Sequence, residues 1–147
     1  MPWKVVFYQS ERGDSPVGEF LGSLSEKARA KCVGYMLLLE ERGNRLPSNY
    51  ASKVQDDLWE LRPEFGGTEY RYFYFTYVEE QIVIVHAISK KSQRLKPGDT
   101  RLALSRVEEV RRREAERREA VEKAEKDNAD PRTVQIAPAI RRRTDGG

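Results

Sequence analysis

The sequence predicts an α/β (α+β) fold: a small, mainly antiparallel sheet packed against two N-terminal helices, with a charged helix towards the C-terminus. Three observations carry that prediction. Residues 70–77 (YRYFYFTY) and 82–88 (IVIVHAI) are aromatic and β-branched runs joined by Glu79-Glu80-Gln81, the pattern of a strand pair. Ala28, Cys32, Val33, Met36, Leu37 and Leu39 recur at three-to-four spacing, as on one buried helix face. Beyond Arg111 nearly every residue is charged, and Glu109/Arg113, Glu114/Arg118, Glu119/Lys123 and Glu122/Lys126 fall at i,i+4 with the acid first.

Taken in order, residues 3–8 (WKVVFY) read as a strand. Ser15-Pro16 supplies an N-cap and a proline at the first helical position, opening a short helix to about Leu24. Ser25 caps the second helix, with Glu26 well placed in its first turn, and Gly43-Asn44 ends it. Residues 46–52 read as a loop and 54–62 as one strand, closed by Arg62-Pro63 because the residue before proline resists helix. A glycine-containing turn at 64–68 leads into the strand pair. On the first of these strands Tyr70, Tyr72, Tyr74 and Thr76 share one face and Arg71, Phe73, Phe75 and Tyr77 the other. Simple alternation on the second puts Ile82, Ile84, His86 and Ile88 together, opposite Val83, Val85 and Ala87. That strand is apolar on both faces and therefore central, with helices covering one side of the sheet. Pro97-Gly98 breaks the chain before the charged helix. Residues 1–110 are expected to form one domain, 111–127 a charged helical extension, and 128–147, with two prolines and Arg141-Arg142-Arg143, a disordered tail.

Composition narrows the function classes. Up to position 100 the chain carries 14 basic and 14 acidic residues, so the net charge of +3 comes from the C-terminal part. The local run Lys90, Lys91, Arg94, Lys96 says more than the overall pI. Cys32 is the single cysteine, which excludes an intrachain disulfide and a cysteine metal cage. No apolar run approaches the roughly 20 residues needed to cross a bilayer. Residues 3–8 are too short for a secretory h-region, so a cytoplasmic protein is expected.

Cations set beside aromatic side chains on a small sheet suit phosphate and nucleotide binding, and point to an RNA-acting protein. Arg71 shares a face with Phe73, Phe75 and Tyr77, where a guanidinium fork can grip phosphate bidentately or simply cover apolar surface. Arg62 binds phosphate or pairs with Glu60 or Glu64. Lys90 and Lys91 are phosphate ligands or a solvated strand end. His86, the only histidine, is a general base or a hydrogen-bonded core residue. Tyr70, Tyr72, Tyr74 and Tyr77 stack RNA bases or serve as core and cover for the helices. The acids do not cluster with histidine at ligand spacing, so no metal or other cofactor is expected.

Phe7-Tyr8, SPVGEFL, LWELRPEFGGTEYRYFYF and IVIVHAISKKSQ, followed by Pro97, together resemble the RelE/ParE toxin superfamily, and within it the phage-derived, HigB-like branch. The resemblance spans roughly residues 3–110. It implies a compact RelE-like fold, and the toxin of a type II toxin–antitoxin pair that cleaves mRNA on the ribosome. Cleavage would be metal-independent, with the substrate's 2′-OH as nucleophile, and a helix-turn-helix antitoxin would neutralise it. It implies catalytic roles for Arg71, Lys90, Lys91 and His86, while Arg62, Arg94, Lys96, Tyr72 and Tyr74 are RNA-contact candidates from their own chemistry. The chain departs from the pattern in one respect. Several RelE-type nucleases carry a catalytic tyrosine after the basic segment, and residues 92–101 contain none. Two other functions share the resemblance: a ParE-like gyrase inhibitor and a non-catalytic phage-derived binding protein.

Overall fold

A computed structural model describes residues 3–90 and 96–145. It has mixed α+β architecture, with three helices and a seven-stranded, mostly antiparallel sheet among the described residues. The elements are β1 (Lys4–Tyr8), α1 (Pro16–Gly22), α2 (Glu26–Arg42), β2 (Ala51–Gln55), β3 (Leu58–Leu61), β4 (Glu64–Phe65), β5 (Thr68–Tyr77), β6 (Gln81–Lys90), α3 (Pro97–Lys126) and β7 (Ile140–Arg142). The strand order is β2-β3-β5-β6-β1-β7, with β4 folded back on β5. Among the described residues, β1 and β6 run parallel and the other pairs antiparallel.

The local punctuation works as the residues dictate. Ser15 accepts a hydrogen bond from the Gly18 amide at 3.3 Å and Ser25 from the Ala28 amide at 3.2 Å, each satisfying an orphan donor of its helix. Gly43 ends α2 at φ 56°, where any Cβ would come within 2.1 Å of the Trp3 indole nitrogen. Glu79 and Glu80, both at positive φ, make the tight turn between β5 and β6.

Three expectations change. First, residues 54–62 are not one strand. Asp56, at φ 49°, turns the chain between β2 and β3, and aspartate tolerates that conformation. The expected loop also ends early, since Ala51 and Ser52 already pair with β3. Second, helices cover both faces of the sheet. Val5, Phe7, Tyr72, Tyr74, Ile82 and Ile84 pack under α1 and α2 with Leu21, Cys32, Met36 and Leu39. Val6, Phe73, Phe75, Val83 and Val85 pack under Ala103, Val107 and Val110 of α3. This is why β6 is apolar on both sides.

Third, residues 129–145 run as a strap along α3 and place an edge strand, β7, on β1. Arg113, 2% exposed, organises it. Its guanidinium donates to the carbonyls of Gln9 (2.8 Å), Ala137 (3.2 Å) and Pro138 (3.1 Å), and to Glu109 (2.6 Å). Glu114 accepts from the Ala139 amide at 2.8 Å. Composition alone suggests disorder here, but Ala139 buries fully and the strap's backbone groups find partners on α3.

A bulge in β6 decides which side chains share a face. Phe73 pairs with His86 but Tyr74 pairs with Ile84, so Val85 has no partner. Alternation therefore inverts after Val85. Ala87 joins the α1/α2 face and Ile88 the α3 face, contrary to simple alternation.

Candidate functional site

The bulge gathers a polar cluster on the α3 face, where α3 begins. β3 brings Glu60 and, just past its end, Arg62. β5 brings Glu69 and Arg71, β6 brings His86 and Lys90, and the first turn of α3 brings Asp99. The register sets Arg71 opposite Ile88 and Glu69 opposite Lys90, so Arg71 sits level with Ile88, midway between His86 and Lys90, which lie two same-face steps of roughly 7 Å apart along β6.

Glu60 is the hub. It is 6% exposed, and its Oε1 receives the Arg71 guanidinium and the Ser52 hydroxyl at 3.3 Å. The Arg62 Nε stands 3.8 Å from the same oxygen. The other terminal nitrogen of Arg71 reaches Glu69 at 3.4 Å. Three cations thus face Glu60 and Glu69, and Asp99 beside His86 brings the formal charge of the whole cluster to zero. Glu60 Oε2, Arg62 Nε, Arg71 Nε and Lys90 Nζ are buried and make no hydrogen bond among the described residues. Unpaired polar atoms of this kind are costly unless something else meets them. Burial, then the neighbouring Arg71 cation, holds the Lys90 ammonium below the usual lysine range, against the opposing pull of Glu60 and Glu69.

His86 stacks on Phe73, with ring centroids 5.6 Å apart and planes 17° from parallel. Its Nε2 lies 2.9 Å from the Asp99 carboxylate. An ionised carboxylate only accepts, so Nε2 carries the proton and Nδ1 of the neutral ring is left as an acceptor. A histidine oriented this way is equipped to take up a proton beside the cations.

Tyr72 and Tyr74 do not join the cationic cluster. They lie on the opposite face of the sheet, under α1 and α2. Tyr72 is fully buried beside Cys32, and burial pushes both phenols well above the ordinary tyrosine range. Neither can stack on RNA held at the cationic cluster. Lys96 is exposed at the N-cap of α3, while Lys91 and Arg94 lie outside the described residues. Arg62 makes one of the pairings open to it, with Glu60.

Glu69 and Asp99 are the members that sequence reasoning missed. Glu69 faces Lys90 only through the β5–β6 register, and Asp99 reads as an ordinary first-turn acid. Among the described residues, no group of three or more His, Cys, Asp or Glu side chains stands close enough to hold a metal ion. No helix among them is long and apolar enough to cross a membrane.

No curated protein matches the chain. A family model does, over residues 19–108, which run from α1 through the first turns of α3 and include every described member of the cluster. That match spans more than half of the chain, which therefore belongs to the family of phage-derived Gp49-like proteins (DUF891).

Proposed function

We propose that this protein is the toxin of a type II toxin–antitoxin system, a HigB-like member of the RelE/ParE superfamily that cleaves mRNA on the ribosome. The observation that carries the reading is that Arg71 Nε and Lys90 Nζ are buried without hydrogen-bond partners among the described residues, beside Arg62 and on the same face as His86 and Asp99. A phosphodiester brings the acceptor oxygens that these donors lack.

The chemistry needs no group beyond the chain and the RNA. His86 Nδ1 accepts the 2′-OH proton as the 2′-oxygen attacks the adjacent phosphorus. The P–O5′ bond breaks, leaving a 2′,3′-cyclic phosphate and a 5′-hydroxyl. Charge accumulates on the phosphoryl oxygens during this step, and a fixed ammonium in a dry setting stabilises it strongly. On this reading Lys90, beside Arg71, supplies that ammonium, and its lowered pKa also suits it to deliver a proton to the leaving oxygen. Arg71 holds Glu60 and Glu69 in place around it. Lys96, exposed at the start of α3, would extend the cationic track along the RNA. A cytoplasmic location and a helix-turn-helix antitoxin belong to the same proposal.

One observation favours a second reading, a non-catalytic binder. Both terminal nitrogens of Arg71 are already engaged by carboxylates, and no tyrosine follows the basic segment. Induced expression separates the readings. Breaks in mRNA phased with codons support the nuclease. Intact mRNA with lost negative supercoiling supports a ParE-like gyrase inhibitor. Intact mRNA with unchanged supercoiling and growth supports binding alone.

A further inference from the structure

The cationic cluster leaves the other face of the sheet without a role. There the end of α2 and strands β3, β5 and β6 enclose a cavity of about 190 Å³. Both tryptophans of the chain, Trp3 and Trp59, line it together with Tyr74, and Asn44 and Thr76 add polar groups at its margin. We propose that this cavity binds one base of single-stranded RNA.

The lining argues for a base over an aliphatic group. Register makes a row across the sheet: Lys53 opposite Trp59, and Trp59 opposite Tyr74. Directly opposed side chains on one face stand about 5 Å apart at Cβ. The row therefore reads, from the sheet edge inward, as a cation followed by two aromatic rings. Aromatic walls accept the flat face of any base, and an adjacent cation meets its phosphate. Trp3 is held in place from the other side, since its amide donates to the Glu40 carbonyl at 3.0 Å and its indole fills the space that a Cβ at Gly43 would need. The Asn44 amide both donates and accepts, as the edge of a base requires. Size agrees. An apolar cavity of about 150 Å³ takes a benzene ring, whereas drug-sized ligands need about 300 Å³ or more. An aromatic side chain of a protein partner would fit the walls but would leave Lys53 and Asn44 without a counterpart.

The two tryptophans make the test direct. The full chain is titrated with adenosine 5′-monophosphate while tryptophan emission is followed, with ribose 5-phosphate as the control that lacks a base. The nucleotide should quench the emission and the control should not. Trp59→Leu should weaken binding about tenfold, the loss of one stacking surface. Asn44→Ala changes an exposed position and should also weaken binding, with an unchanged circular dichroism spectrum. The proposal is overturned if the nucleotide has no effect, or if the sugar phosphate acts equally well. It is also overturned if N-acetylphenylalaninamide, which does not absorb where tryptophan is excited, changes the emission and the nucleotide does not, which would assign the cavity to a protein partner. The biological ligand rests on the RNA reading above, but the two fail separately. Quenching without mRNA breaks on induction leaves the cavity assigned and removes the nuclease.

Discussion

Arg113→Met tests whether the C-terminal strap is held by one guanidinium. Methionine keeps much of the buried apolar stem and removes every donor. Two carbonyls, on Gln9 and Ala137, then lose their partner, while Pro138 keeps the Gln9 side-chain amide at 3.0 Å, and each unsatisfied acceptor costs about 1 kcal/mol or more. Glu109 is partly exposed, so losing its partner adds at most about 1 kcal/mol. The total is about 2–3 kcal/mol. At about 3 °C per kcal/mol for a chain of this size, the thermal midpoint should fall by roughly 6–9 °C. The strap can relieve part of that cost by detaching and letting its carbonyls hydrate. Limited proteolysis should then cut between Asn128 and Arg141 well before the core. Circular dichroism melting and timed proteolysis measure both effects. A midpoint within about 1 °C of the parent, with the C-terminal residues equally resistant, would show that the strap owes nothing to Arg113.

Glu60→Gln removes the charge that Arg71 and Arg62 share, leaving three cations with Glu69 alone; denaturant unfolding should show a loss of about 3 kcal/mol, smaller when combined with Lys90→Met. Lys90→Met alone should stabilise, and the gain should depend on pH. The folded pKa of Lys90 lies below its ordinary value of 10.5, so keeping it charged costs stability at neutral pH, and the cost fades as pH rises through the lowered pKa. Melting midpoints of variant and parent should therefore differ most near pH 7 and converge near pH 10. Gly43→Ala meets both the left-handed backbone and the Trp3 ring, so it should cost about 2 kcal/mol or more and shift tryptophan emission to longer wavelength.

Much of the fold is legible in the sequence because its signals are local. Ser15, Ser25 and Gly43 mark helix ends through bonds and angles within a few residues, and the faces of β5 follow from alternation alone. The site is less legible because its contacts are not local. Arg71 and Lys90 stand out as cations, but the carboxylates that hold them arrive from β3 and β5 through strand register. Asp99 meets His86 only once α3 has packed on the sheet. The strap was hidden for the same reason: residues 128–147 carry too little apolar surface to fold alone, and the partner that orders them, Arg113, sits in a helix that reads as solvated.

The one-residue bulge at Val85 has the largest consequence for function. Without it, unbroken alternation would put His86 with Ile82 and Ile84 under α1 and α2, a full sheet thickness from Arg71. Lys90 would follow it, because His86, Ile88 and Lys90 stay in phase. The bulge turns all three towards α3. There His86 finds Phe73 and Asp99, and Lys90 finds Glu60, Glu69 and Arg71. No side chain in IVIVHAI announces this, since valine fits a regular strand as well as a bulged one. The cationic face is therefore a product of backbone register, and substitutions that restore regular pairing between β5 and β6 should dismantle it without touching a charged residue.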